Sequence, residues 1–86
     1  MPEISRFYGI LIAMFWDDHN PPHFHARYGA HRAAIEIATL RVLDGNLPSR
    51  ALGLVIEWAS QHKEELMSNW EEARNSRPMR KIEPLP

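Results

Sequence analysis

The chain has 86 residues, 44% of them hydrophobic and 24% charged, which is the composition of a globular protein and leaves room for a single domain, residues 1–86. Its formal net charge of -1 excludes a global field that would draw the protein to nucleic acid or to an anionic membrane, so any nucleic-acid contact needs a local patch. Cysteine is absent, which excludes disulfides, thiolate metal ligands and cysteine nucleophiles.

The longest apolar run, residues 10–16, is too short to span a bilayer, and the first residues lack the basic and apolar regions of a signal peptide. We therefore expect a cytoplasmic protein without membrane association. Because so short a chain buries a smaller share of its surface than a large one, we also expect either a homodimer or a complex with a small protein partner.

The first predicted strand covers residues 5–16, where nearly every position is apolar. A strand with two apolar faces is typical of the centre of a sheet or of a strand covered by a partner, and Gly9 within it indicates a bulge or a close backbone approach. Residues 17–22 read Asp-Asp-His-Asn-Pro-Pro, which are turn formers, and two consecutive prolines cannot supply ladder hydrogen bonds. The strand is therefore expected to end before this segment.

Residues 23–28 and 32–39 alternate apolar and polar side chains, which predicts two half-buried strands. Gly29 and Ala30 between them predict a tight hairpin turn. Two registers keep the apolar faces of both strands together, because side chains alternate with a period of two residues. The first register sets His23 opposite Glu36, and the second sets His25 there.

Residues 40–43 are expected to extend the sheet or to form its edge, and residues 44–46, Asp-Gly-Asn, to end it. A helical pattern follows over residues 49–74. Lys63 would fall in the middle of the apolar stripe of that helix. This leaves two alternatives, one long helix or a break at residues 61–63.

A second stripe beside the main one, formed by Ala51, Leu54, Trp58 and His62, predicts a helix surface that packs against a neighbouring subunit. Residues 75–86 are rich in proline and are expected to form a flexible or loosely docked tail. The predicted class is α+β, with a three- or four-stranded antiparallel sheet followed by one long or broken C-terminal helix packed on one face.

His23 and His25 form a His-x-His pair, and on a strand such side chains point the same way about 7 Å apart, near enough to reach one metal ion. His19 in the preceding segment is a third imidazole, and Asp17 and Asp18 beside it offer carboxylate oxygens. Nitrogen and oxygen ligands of this kind suit zinc, nickel or manganese. The candidate metal ligands are therefore His19, His23 and His25.

The same strands carry groups suited to acid–base chemistry. Candidate catalytic residues are His23, His25, Arg27 and Glu36, because histidine titrates near neutral pH and a carboxylate across the hairpin can orient it. In the first register Arg27 lies opposite Arg32, and an anion or an acidic partner between the two would relieve their repulsion. Alternatively, these side chains are only the polar face of a solvated sheet.

Four short segments together resemble a known family, and they are Ile4-Ser-Arg-Phe-Tyr-Gly9, Asp18-His-Asn-Pro-Pro-His-Phe-His-Ala26, Gly45-Asn-Leu-Pro48 and Glu57-Trp58. The chain resembles a small bacterial family, domain of unknown function 4160, and the His-Asn-Pro-Pro-His-Phe-His stretch is the most specific part. The resemblance implies a stand-alone protein encoded beside another small protein in a toxin–antitoxin-like arrangement. It raises the expectation of a protein partner or of nucleic acid, and it assigns no catalytic residue.

Two functional hypotheses follow. The first is a non-enzymatic interaction module, toxin–antitoxin-like or regulatory, that acts through a protein partner; it is motivated by the small size, the surplus apolar surface and the resemblance. The second is a nuclease or other hydrolase that acts through His19, His23 and His25, with or without a metal ion. Both the metal site and the catalytic site require that residues 23–27 are extended, so that their polar side chains share one face.

Overall fold

A computed structural model describes residues 2–86 and contains five strands followed by two helices. The elements are β1 (Glu3–Phe7), β2 (Ile10–Ala13), β3 (His23–Tyr28), β4 (His31–Glu36), β5 (Val42–Asn46), α1 (Ser49–Ser60) and α2 (Lys63–Arg74). The strands pair antiparallel in chain order into one sheet. The α+β class and the antiparallel sheet are confirmed, whereas the predicted count of three or four strands is wrong.

The segment 5–16 is not one strand, because a hairpin turn at Tyr8 and Gly9 divides it into β1 and β2. Phe7 pairs with Ile10 across this turn, and both turn residues have positive φ, 50° at Tyr8 and 77° at Gly9. A two-residue turn with positive φ at both positions is the type I′ hairpin turn. The apolar run continues through the turn, and for this reason the sequence indicated a bulge there instead.

The hairpin of β3 and β4 adopts the first of the two predicted registers. His23 lies opposite Glu36, and Arg27 lies opposite Arg32. The turn consists of Gly29 and Ala30, as predicted. However, β4 ends at Glu36 and not at residue 39, since the backbone turns back there toward β5.

Residues 44–46 do not end the sheet, as expected from their composition, but lie inside β5. Gly45 has a φ of 73°, and a Cβ atom built on it would lie only 2.2 Å from the backbone oxygen of Arg32. Glycine is therefore the residue that allows β5 to approach β4 at this point. The Asp-Gly-Asn sequence, which is typical of turns, here forms part of a kinked strand at the edge of the sheet.

The helical half is broken at the predicted place, so the alternative of one long helix is wrong. α1 ends at Ser60, and α2 begins at Lys63 after His62, whose φ is −132°. The break places Lys63 at the start of a helix, where its Nζ donates a hydrogen bond of 2.9 Å to the oxygen of Ala38. An unbroken helix would have carried this ammonium group into the apolar stripe.

Both helices contribute to a single core on one face of the sheet. The indole of Trp58 is fully buried and contacts Phe7 and Phe24, with ring centroids 5.3 Å and 6.0 Å away. Trp58 therefore does not belong to a stripe facing a neighbouring subunit, as the sequence suggested, because this side of α1 faces the sheet. In α2 the buried apolar residues are Leu66, Trp70 and Ala73.

The segment 75–86 contacts both the sheet and α2. The N–H of Ile82 donates a hydrogen bond of 2.7 Å to the oxygen of Ile4, and the Ile82 side chain is buried. Asn69 forms two side-chain hydrogen bonds with the backbone of Arg80. That this segment is flexible or loosely docked stays a prediction. Within residues 2–86, neither helix has the length and apolar character needed to cross a membrane.

Candidate metal centre

Three side chains converge where β3 begins. Asp18 Oδ2 lies 3.0 Å from His23 Nε2 and 3.1 Å from His25 Nε2. One atom from each residue lies within 4.8 Å of the other two. A tetrahedral zinc site with bonds of 2.0–2.1 Å has ligand atoms roughly 3.3 Å apart. The three atoms are thus close enough together to hold one metal ion.

The local backbone explains this convergence. His23 and His25 occupy positions i and i+2 of β3, so both imidazoles leave the strand on the same side. Asp18 lies in the loop between β2 and β3, after Asp17, which has a positive φ of 61°. The backbone N–H of His19 donates a hydrogen bond of 2.9 Å to Asp18 Oδ1, which leaves Oδ2 for the two imidazoles.

The hydrogen bond at the other nitrogen of His23 determines its tautomer. His23 Nδ1 lies 2.7 Å from the carbonyl oxygen of Pro21, and because a carbonyl only accepts, Nδ1 carries the proton. In a neutral His23 the lone pair at Nε2 would then point toward the Asp18 carboxylate, 3.0 Å away. Either a second proton on His23 or a cation between the two groups removes this repulsion. Metal-binding histidines characteristically donate their other ring N–H in this way.

Burial and hydrogen bonding act on the two other groups of the centre. Burial raises the pKa of the Asp18 carboxyl, but hydrogen bonds from His25 and the His19 backbone and the charge of the histidines outweigh it, so this pKa lies below its ordinary value. Burial lowers the pKa of His25 below its usual range, and the Asp18 carboxylate only partly offsets this effect. The Asp18 carboxyl is thus more easily ionised, and the His25 imidazole less easily protonated, than either group would be in water.

Aromatic neighbours hold both imidazoles in place. The His23 side chain is only 7% exposed and packs on Trp70 of α2, with ring centroids 5.3 Å apart. His25 is more accessible and packs on Phe15, with ring centroids 4.3 Å apart. Packing of this kind restricts the ring rotamers, so the nitrogen atoms stay directed at Asp18.

A pocket of about 260 Å³ lies beside His25 on the sheet face opposite the helices. Arg27 and Arg32 line it as direct neighbours on β3 and β4. Its other side chains include Leu11, Ala13, Phe15, Ala34 and Asp44. His25 therefore connects the group of Asp18, His23 and His25 with a groove that carries two guanidinium groups and several apolar side chains.

Two of the residues predicted for the site lie apart from it. The His19 side chain is 90% exposed, and its Nδ1 lies 3.3 Å from Asp18 Oδ1, the oxygen that His23 and His25 do not contact. Glu36 lies opposite His23 in the sheet, but its carboxylate accepts a hydrogen bond from Thr39 and pairs with Arg41. Neither residue joins the group formed by Asp18, His23 and His25.

The sequence did not single out Asp18 as the residue that joins the two histidines. The predicted third ligand was His19, with Asp17 and Asp18 beside it as further oxygen donors, and only the course of the loop brings Asp18 to the two histidines. Trp70, which packs on His23 from α2, carried no signal at all, because its helical spacing indicated only a core residue.

The comparison with protein families gives one match. A family model described as a domain of unknown function, DUF4160, matches residues 9–71, which is more than half of the chain. The matched region contains Asp18, His23 and His25 together with Arg27 and Arg32. Comparisons with curated proteins and with solved structures find no match.

Proposed function

Since the chain belongs to the family DUF4160, whose description assigns no activity, we propose from its own geometry that it is a metal-dependent hydrolase. Asp18, His23 and His25 would hold one divalent cation, with zinc, nickel or manganese as the candidates. The observation that carries the proposal is the approach of both Nε2 atoms to the same carboxylate oxygen, while His23 Nδ1 is held by the Pro21 carbonyl.

The number of ligands supports a catalytic role over a structural one. Structural zinc sites use four protein ligands, whereas catalytic sites use three and keep one position for water or substrate. Within the described residues the group has three members, and His25 lines a pocket beside it. A divalent cation in such a site polarises an ester oxygen and lowers the pKa of a bound water molecule.

The reaction that fits this arrangement is hydrolysis of an ester. The oxygen of water forms a bond to the phosphoryl or acyl centre, and the bond from that centre to the ester oxygen breaks. The ester oxygen leaves as an alcohol that carries one of the protons of water. The chain itself supplies the fixed histidines, the carboxylate and the groove that orients the substrate.

The test is a hydrolysis assay on protein purified without a histidine tag and stripped with a chelator. Carboxyl esters, phosphomonoesters and phosphodiesters with chromogenic leaving groups are offered after addition of zinc, nickel or manganese. We expect turnover only with metal, and a loss of about 100-fold or more in Asp18→Asn and His25→Gln.

The matched control is His31→Gln, which changes an exposed histidine at the end of the β3–β4 hairpin, outside the group. This variant should retain the wild-type rate. If none of the esters is cleaved with any of the metals, or if Asp18→Asn is as active as wild type, the proposed function is wrong.

A second candidate function, binding of a small protein partner or a second copy of the chain, is favoured by a separate surface. Tyr8 and Tyr28 are exposed and line a pocket with Arg50 and Leu54 that shares no lining residue with the pocket beside His25. Tyrosine and arginine are enriched at protein interfaces. Light scattering should then show either a dimer or a complex with the product of a neighbouring gene, and Tyr28→Ser should weaken it. A protein that stays monomeric and does not bind that gene product contradicts this candidate.

A further inference from the structure

We infer that the groove beside the metal centre binds a phosphate ester, with Arg27 and Arg32 holding the phosphate. This inference rests on the proposed function, because it names the substrate class of the same site. It also makes a claim of its own, since two guanidinium groups can bind an anion whether or not a metal ion is present.

The first argument is the placement of the two arginines. Arg27 and Arg32 are direct partners across β3 and β4, so both side chains leave the sheet on the same face. Like charges at directly opposite positions destabilise a sheet. An anion between them converts this repulsion into two charge-assisted interactions, and the planar guanidinium group matches two oxygens of a phosphate.

The second argument is the absence of a competing partner. Across residues 2–86, neither Arg27 nor Arg32 has a carboxylate within 4.0 Å, whereas Arg6, Arg41 and Arg77 each pair with a glutamate. Asp44 lines the same pocket but lies opposite Ala34, in the next row of the sheet. The two guanidinium groups are therefore available to a ligand.

The third argument is the position of the arginines relative to the metal centre. Arg27 follows His25 by two residues on β3, so the two side chains leave the same face about 7 Å apart. A phosphate held by Arg27 and Arg32 would therefore lie in the same pocket as His25 and on the same face of the sheet. Arginine side chains that hold the transferring phosphoryl group are a recurrent means of stabilising its developing charge.

The walls of the groove indicate what is attached to the phosphate. Phe15 and Leu11 line the pocket together with the small apolar side chains of Ala13 and Ala34. Such a surface suits the planar, largely apolar face of a nucleobase, for which aromatic side chains are common stacking partners. A nucleotide, either free or within a single-stranded nucleic acid, combines this group with a phosphate.

Binding is measured on chelator-treated protein, so that the result does not depend on the metal. The probes are inorganic phosphate, adenosine monophosphate and a short fluorescent single-stranded RNA, compared with sodium chloride at equal ionic strength. We expect phosphate to raise the unfolding temperature where chloride does not, and we expect the two nucleotide probes to bind more tightly than phosphate alone.

Arg27→Gln and Arg32→Gln should each weaken binding by roughly tenfold or more. Arg50→Gln removes the same charge at a residue that lines the pocket of Tyr8 and Tyr28 and not the groove, so it should not weaken binding. The tighter of the two nucleotide probes identifies the source of the phosphate. If Arg27→Gln and Arg32→Gln bind every probe as tightly as wild type does, the inference is overturned.

Asp18→Asn separates this inference from the proposed function. It removes a metal ligand and keeps both arginines, so it should bind the probes as wild type does while losing hydrolysis. Phosphate binding without any metal-dependent hydrolysis would refute the proposed function alone. Hydrolysis of carboxyl esters without phosphate binding would refute this inference alone.

Discussion

Asn69 and Arg80 are joined by two hydrogen bonds, one from Asn69 Nδ2 to the Arg80 oxygen and one from the Arg80 N–H to Asn69 Oδ1, each 2.8 Å long. Asn69 is buried in α2, and Arg80 lies in the segment 75–86. A buried carboxamide that bonds both the N–H and the carbonyl oxygen of one residue forms the same two hydrogen bonds that a neighbouring strand would form. The pair therefore connects the last residues to the helical layer.

Asn69→Ala is expected to lower the free energy of unfolding by about 2 kcal/mol, because the change leaves both backbone groups of Arg80 without these partners. Urea unfolding measures this loss, and hydrogen exchange should show faster exchange of the Arg80 amide. Asn75→Ala is the control, since the Asn75 side chain is exposed and bonds only within its own helix end. Equal stabilities of the two variants would show that the pair does not hold the segment.

Gly45→Ala is expected to lower the free energy of unfolding by about 2 kcal/mol or more, since the new Cβ would lie 2.2 Å from the Arg32 oxygen and the φ of 73° is unfavourable for alanine. Gly53→Ala is the matched control. Gly53 lies within α1 and has open space around it, so alanine there should raise stability by about 0.5–1 kcal/mol. Thermal unfolding of both variants checks the opposite signs, and two equal shifts would contradict the kinked form of β5.

Arg32→Gln is expected to raise the free energy of unfolding by about 0.5 kcal/mol at low salt, because it removes the like charge opposite Arg27. The gain should shrink as sodium chloride is added, since salt screens exposed charges. Lys81→Gln is the control, because it removes the same charge at an exposed position. The Lys81 ammonium group favours the ionised form of Glu3, so its removal should bring no gain in stability. A loss of stability in Arg32→Gln at low salt would mean that the two guanidinium groups do not repel each other.

The sequence predicts the hairpin of β3 and β4 well, because alternation over six residues in each strand admits only two registers. It predicts the turn at Tyr8 and Gly9 poorly. Type I′ turns are signalled by Asn-Gly or Asp-Gly, and a tyrosine at the first position hides the turn inside an apolar run. Similarly, Asp-Gly-Asn at residues 44–46 has the composition of a turn, and only the close approach of β4 explains its place in a strand.

The candidate site was predicted in part for a comparable reason. The His-x-His spacing on a strand is a local property, so the common direction of His23 and His25 can be inferred from sequence. The choice of Asp18 over His19 depends on the path of a loop with a positive φ at Asp17, and spacing along the chain does not encode that path. One of the two registers left open sets Glu36 opposite His23, as observed, but the interactions of Glu36 with Thr39 and Arg41 direct its carboxylate elsewhere.

The most direct test of the metal centre is a cobalt(II) titration of tag-free protein, followed by the visible absorption of the bound ion. Wild type and His19→Ala should both bind one ion per chain, because the exposed His19 lies outside the group of Asp18, His23 and His25. Asp18→Asn and His25→Gln should lose affinity by about tenfold or more. Cobalt binding that disappears in His19→Ala, or that persists unchanged in Asp18→Asn and His25→Gln, would contradict the account.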